Sequence, residues 1–285
     1  MDLCDLDTIR ALLGRHGFHF SKSMGQNFLI DPDIPYNIAA SSEADETCGV
    51  LEIGPGIGPL TAQLAKRAGK VVSIELDKSL LPVLAETMAP YPNVEIVPGD
   101  VMKLDVPALV AEKLNGLKPI VCANLPYNIT TPVLTKLVEA SCFDSITVLI
   151  QKEVAQRLAA PQGSGDGGSF TLFLQYYMET EYLFDVPREK FIPSPKVTSA
   201  VLRCTRRAAP AVQVEDEAFF FKVVRGAFLL RRKTLSNSLA AALPHLSKER
   251  IQQCIEACGL PPTVRGEKLT LQNFADLARA LSADN

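Results

Sequence analysis

Between residues 49 and 151 short apolar runs of strand length alternate with stretches of helical length. The runs are GVLEIG (49–54), VVSIEL (71–76), VEIVPGD (94–100), PIVCAN (119–124) and SITVLIQ (145–151), with PLTAQLAKRAG, SLLPVLAETM, VPALVAEKL and TPVLTKLVEA between them. Near-continuous apolar strands are buried on both faces, and a helix-length connection lets each strand run parallel to the last. The pattern predicts a doubly wound α/β sheet with helices on both sides.

Flanking this block, helical patterns cover residues 5–16 and 31–41, the second with Asp31 as a plausible N-cap and Pro32 in its first turn. PQGSGDGGS (161–169) has the composition of a flexible loop. A helix-like FTLFLQYYM, a strand YLFDV, a proline turn FIPSP and a late strand KVTSAVLRC follow, and helices are expected at 216–230, 236–242, 248–257 and 271–281. The expected division is a first domain over 1–207 and a small helical domain over 208–285. With 285 residues, 47% of them hydrophobic, the chain can fill both cores.

At the end of the first strand, Glu52-Ile53-Gly54-Pro55-Gly56-Ile57-Gly58 turns into the next helix. Glycines suit a tight turn that a ligand approaches closely, although a ligand-free turn would read the same way. Two acids narrow the choice. Glu75 ends the next strand about twenty residues after the loop, where a carboxylate can accept both hydrogens of a ribose diol. Asp100 follows the third strand, placed to accept from an adenine amino group. Ligands of open α/β sheets gather at these strand ends, so the set points to an adenosine-shaped pocket. NAD shares the glycine loop and the ribose acid, and the fourth strand separates the two.

That strand ends in Asn124-Leu125-Pro126-Tyr127, which resembles the [DN]-x-P-[YF] motif of methyltransferases acting on the adenine amino group. The lone pair of an aromatic amine is delocalised into the ring until acceptors hold its hydrogens out of plane. The Asn124 side-chain oxygen and the Leu125 carbonyl are the expected acceptors. Pro126 fixes φ and removes a competing N–H. Tyr127 offers a stacking face, worth about 1–3 kcal/mol per base in comparable settings. A sulfonium methyl donor needs alignment and exclusion of water and no shifted general base, so the lack of an obvious catalytic His or Cys fits.

With these residues in hand the chain resembles the KsgA/RsmA family, the adenine dimethyltransferases of small-subunit ribosomal RNA. The likeness runs through Lys22 to Leu29, Glu52 to Gly58, Glu75, Asp100, Asn124 to Thr130, Gln151 to Val154, Phe191 to Val197 and Arg231 to Leu239. It implies a mostly parallel seven-stranded class I methyltransferase (Rossmann-like) sheet, S-adenosylmethionine as donor and no metal. The partner it implies is 16S rRNA in the small (30S) subunit or its precursor, dimethylated on two adjacent adenosines of a hairpin loop near the 3′ end. By the same resemblance Asn27 and Leu29 close over the methionine end of the donor and Gly54 and Gly56 approach it. Glu75, Asp100 and Asn124 complete that site, and Phe191 covers the target adenine opposite Tyr127. The basic residues of 231–233 and of Arg203, Arg206 and Arg207 would face phosphates. One departure stands out: where the family has an aromatic residue before a glycine, this chain reads Asp166-Gly167-Gly168-Ser169.

Charge divides along the chain. Residues 1–187 carry 13 Lys and Arg against 23 Asp and Glu, while residues 188–285 carry 16 against 9, an asymmetry that suits a polyanion at the C-terminal end. Seven scattered cysteines without a C-x-x-C pair and only three histidines argue against a disulfide framework or a zinc centre. No stretch reaches the about 18 apolar residues of a membrane span, so a monomeric, cytoplasmic enzyme without membrane attachment is expected. Three other readings stay open at this stage: an Erm-type enzyme of large-subunit RNA, a non-catalytic nucleic-acid-binding factor on the same fold, and a nicotinamide dehydrogenase.

Overall fold

The computed structural model describes residues 1–18 and 26–282, so Lys22, Ser23, Met24 and Gly25 of the arm motif lie outside the described residues. Nine strands are described: β1 (Phe28–Leu29), β2 (Cys48–Ile53), β3 (Lys70–Glu75), β4 (Val94–Pro98), β5 (Lys118–Asn124), β6 (Ser145–Gln151), β7 (Met178–Val186), β8 (Phe191–Ile192) and β9 (Ser199–Arg206). Seven of them form one sheet in the order β4-β3-β2-β5-β6-β9-β7. Its first five strands run parallel, and β9 lies antiparallel to β6. The doubly wound sheet expected from the apolar runs is therefore present, with the seven, mostly parallel strands that the family resemblance implies. Every residue of β2 is buried, as a central strand covered on both faces requires.

The helices are α1 (Leu6–Arg15), α2 (Asp33–Ser41), α3 (Pro59–Ala65), α4 (Leu81–Thr87), α5 (Val106–Lys113), α6 (Thr130–Glu139), α7 (Lys152–Leu158), α8 (Ser169–Tyr177), α9 (Glu217–Ala227), α10 (Leu235–Ala242), α11 (Lys248–Ala257) and α12 (Leu271–Ser282). Local chemistry starts several of them: Asp5, Asp105, Asp216 and Ser247 each accept a backbone N–H of the first turn. α2 begins later than expected. Pro32 is its N-cap, and Asp31 accepts from Asp33 N at 3.0 Å just outside it.

The chain divides into two compact units, residues 1–155 with 181–206 and residues 156–180 with 207–285. A single cut at 207/208 thus misses one stretch, because 156–180 belongs with the C-terminal helices. The cause is apolar: Leu172 and Tyr176 of α8 are buried in the same core as Phe220, Leu239, Ile251 and Phe274. In that core the Tyr176 ring meets Phe221 edge-on at 5.1 Å, and a Cβ on Gly226 would lie 2.7 Å from the Ala242 Cβ, so glycine lets α9 and α10 approach closely. The loop before α8 is tied down, with Gln162 Oε1 accepting from Leu271 N at 2.9 Å and Lys268 Nζ donating to Ser164 O at 2.9 Å. No described helix is long and apolar enough to cross a membrane.

Candidate active site

In the first unit the strand order reverses at β2, which lies between β3 and β5, and a ligand crevice is expected where strands diverge at their carboxyl ends. A cleft of about 1120 Å³, part of it open solvent, occupies that place. Asn27, Leu29, Gly54, Gly56, Glu75, Asp100, Asn124, Leu125, Pro126 and Tyr127 all line it. Sequence reasoning thus brings ten residues from five separate segments to one cavity.

The glycine loop forms the floor. Gly54, Gly56 and Gly58 have φ of 69°, 63° and 94°, a region that residues with a Cβ rarely adopt. Each glycine also has its own surroundings. A Cβ on Gly54 would meet nothing within 4 Å, a Cβ on Gly56 would lie 3.1 Å from the Phe28 ring, and one on Gly58 would lie 2.4 Å from Met88 Cε. Gly54 therefore borders open space in the cleft, while the other two are hemmed in by the protein itself.

Two carboxylates in the cleft wall are buried, Glu52 with 1% and Glu75 with 6% of its surface exposed. Glu52 accepts from Thr61 Oγ1 at 2.7 Å and Ser73 Oγ at 2.6 Å, both through Oε2. Glu75 accepts backbone N–H groups of Asp77, at 2.7 Å, and of Gly56. Neither has a cationic partner among the described residues. Burial pushes both up to about 7, and each is raised a little further by an acidic neighbour, Glu75 beside Glu52 and Asp77 beside Glu75. Such a pair suits a ligand that brings positive charge. Glu52 was legible in sequence only as the residue before the loop; a charged side chain inside an otherwise apolar buried strand was the signal. Asp100, half-buried, accepts from Met102 N at 2.9 Å.

Opposite these acids lies the Asn124-Tyr127 corner. Asn124 closes β5 and donates from Nδ2 to Asn27 O at 3.3 Å, which aims Oδ1 as its acceptor. Leu125 N is held by Leu149 O at 3.1 Å and the Leu125 side chain is buried. Among the described residues neither Asn124 Oδ1 nor the Leu125 carbonyl receives a hydrogen bond. Pro126, at φ −56°, turns the chain out of the strand. Tyr127 OH pairs with Ser199 Oγ at 2.6 Å, so β9 fixes the ring on the cleft wall. Glycine loop, unpaired acids and open acceptors together fit a cationic adenosyl donor next to an aromatic amine.

Two groups of expected residues have partners within the protein. Phe191 is 3% exposed, pairs with Leu29 across β1 and β8, and packs with Val186 and Val201. The proline-flanked segment forms a short strand with β1, and that pairing turns the ring into the core. The arginines at the end of β9 are engaged within the protein. Arg203 pairs with Glu43 and Glu181, Arg206 donates to Phe143 O and Val138 O, and Arg207 pairs with Glu179 and donates to Gln175 O. Lys222, Arg225, Arg231, Arg232 and Lys233 are exposed and form no ion pair among the described residues.

Comparison with known proteins bears on the same residues. The family described as ribosomal RNA adenine dimethylase matches residues 17–281. A protein of Geobacillus sp. (strain WCH70) named ribosomal RNA small subunit methyltransferase A is 47% identical over 284 residues, covering 98% of each chain. Its namesake in Geobacillus thermodenitrificans (strain NG80-2) is 48% identical, over 98% of this chain and 97% of that protein. Among solved structures, the 23S rRNA methyltransferase ErmE superposes with a TM-score of 0.71 at 27% identity, covering 89% of this chain and 99% of its own. A dimethyladenosine transferase from Plasmodium falciparum shares the fold, with a TM-score of 0.73 at 23% identity over 87% of this chain and 95% of that one.

Proposed function

This chain belongs to the ribosomal RNA adenine dimethylase family, and on that premise we propose how its cleft dimethylates N6 of two adjacent adenosines in the 3′-terminal hairpin loop of 16S rRNA. It is a class I methyltransferase, an rRNA adenine dimethyltransferase. The observation that carries the reading is the Asn124-Tyr127 corner, whose two unmet acceptors and fixed ring open on the same cleft as Glu75.

When bound, S-adenosylmethionine supplies an electrophilic methyl on a positively charged sulfur. Glu75 would hold its ribose hydroxyls and Asp100 its adenine amino group, with Gly54, Gly56, Asn27 and Leu29 around the methionine end. Asn124 Oδ1 and the Leu125 carbonyl accept the two hydrogens of the target amine, which frees its lone pair toward the donor side. Tyr127 stacks on the base turned out of its loop. Holding the partners in line can lower the barrier by about 7–11 kcal/mol in well-oriented cases. Release follows the same count: the amine has two hydrogens for two acceptors, the monomethyl product one and the dimethyl product none, so the last leaves its acceptors unpaired.

The unpaired cations at 222–233 support a phosphate-facing role for the helical unit, which we take to include 156–180 as well as 207–285. The same reading puts a monomeric enzyme in the cytoplasm, acting on the small subunit or its precursor. Labelled methyl transfer to small subunits from cells that lack the protein tests it. Label on N6 of two adjacent adenosines near the 3′ end is the expected result, and label on large-subunit RNA would instead support the Erm-type activity that the ErmE likeness leaves as the second reading.

A further inference from the structure

Asp77 follows Glu75 by two residues, half-buried on the cleft wall. Its two carboxylate oxygens serve different partners. Oδ1 accepts from Ser79 N at 2.9 Å and Ser79 Oγ at 2.6 Å, capping the short turn Lys78–Leu80. Oδ2 accepts from Gln26 Nε2 at 2.7 Å, a partner 51 residues away in sequence. Capping needs one oxygen, so the second bond has another purpose. The backbone N–H of Asp77 meanwhile donates to Glu75 Oε1 at 2.7 Å.

Across the cleft Asn124 Nδ2 donates to Asn27 O at 3.3 Å, and Phe28 and Leu29 pair with Ile192 and Phe191. Residues 26–29 form a strap anchored at the ribose acid's side by Asp77 and at the acceptor corner by Asn124. We propose that Asp77 is a positioning residue that closes this strap over the donor, an inference resting on the reading that the cleft takes S-adenosylmethionine. A carboxylate gripping a neutral amide makes a charge-assisted bond, stronger than a neutral pair yet free of a second charge to desolvate. Gln26, Asn27, Phe28 and Leu29 all line the cleft, so the placing of the strap shapes the donor's surroundings. The strength of the Gln26–Asp77 bond therefore sets donor affinity and leaves RNA recognition to other residues.

The test is an exchange of roles between the two side chains. Gln26→Glu sets carboxylate against carboxylate, and calorimetry should show S-adenosylmethionine binding weakened about tenfold. The KM for donor should rise in step, while kcat at saturating donor and the KM for small subunits stay near their original values. Asp77→Asn keeps an oxygen for Ser79 and turns an N–H₂ toward position 26, where the Gln26 amide can flip to accept, so its loss is smaller. The double variant Q26E/D77N gives the new carboxylate a donor and should bind several-fold tighter than Q26E alone. A residue needed only for folding would lower thermal stability without that recovery. Unchanged binding by Q26E, or a double variant no tighter than Q26E, overturns the proposal. A wild-type protein that binds donor and methylates no small-subunit RNA would defeat the functional reading, while the binding series would still decide the strap. A wild type that binds no adenosyl donor defeats both.

Discussion

The cleft of the first unit and the α9–α10 region of the second are opposite in charge and alike in lacking compensation. Glu52 and Glu75 are buried carboxylates without a cation, and Lys222, Arg225, Arg231, Arg232 and Lys233 are exposed cations without an acid, among the described residues. The arginines in and just after β9 show the ordinary alternative. Arg203 and Arg207 have acidic partners, and Arg206 is absorbed by the backbone carbonyls at the end of α6. Charge left unanswered in a fold marks where a ligand of the other sign belongs, a cationic donor in one region and a polyanion in the other. Charge that the fold answers itself is architecture.

The division can be broken most directly at the acceptor corner, which lies in the cleft but carries no charge. Asn124→Ala should lower methyl transfer at least about 100-fold, since the lost oxygen acts on the target amine, with a much smaller weakening of donor binding in calorimetry from the lost Asn124–Asn27 contact. A parallel loss of donor affinity would mean that acceptor and acids form one inseparable site. Replacing Arg231, Arg232 and Lys233 together by alanine should weaken small-subunit binding about ten- to a hundred-fold and reduce the salt dependence by about two to three counterions, with donor affinity unchanged. An unaltered salt slope would show that these cations face water.

Acidity sharpens the comparison from the other side. In the unfolded chain Glu52 and Glu75 ionise near the ordinary 4.5, while burial pushes them up to about 7 in the folded protein. The folded protein therefore keeps protons that the unfolded chain has lost. The stability this contributes is whole below about 4.5 and gone once pH passes about 7. A positively charged donor recovers that loss, so its affinity should rise several-fold between about pH 5.5 and 8, whereas the uncharged thioether S-adenosylhomocysteine, which offers Glu75 only its ribose hydroxyls, should show a distinctly smaller rise. Identical pH profiles for the two ligands would remove charge as the reason for the buried pair. The smallest effect on RNA is expected at Arg206. Arg206→Ala should cost about 1–2 kcal/mol of stability in denaturant titration and leave small-subunit affinity as it was.

Much of this is legible in the sequence. The strands and helices from 48 to 151 follow from runs whose periodicity is local, and eight of the ten cleft residues from strand ends that a parallel sheet must bring together, while Asn27 and Leu29 come only with the family resemblance. What the sequence could not carry were partners set by distant pairing. Phe191 enters the core because β8 pairs with β1, and the arginines in and just after β9 find partners in Glu43, Glu179, Glu181 and the end of α6. Residues 156–180 join the helical unit because one face of α8 is apolar in a way that matches α9, which composition alone does not reveal. The Asp77–Gln26 bond links a residue of the acid-bearing turn to an arm 51 positions earlier, with no local pattern to announce it.

Gly56 has a corollary for anyone building chimaeras within this fold. Its missing side chain is occupied by the edge of Phe28, so loop and arm interlock like two halves of a clasp moulded together. Transplanting the glycine stretch alone from a sibling enzyme would pit a foreign contour against this ring. The two segments form a single inheritable cassette, and a graft should carry both or neither.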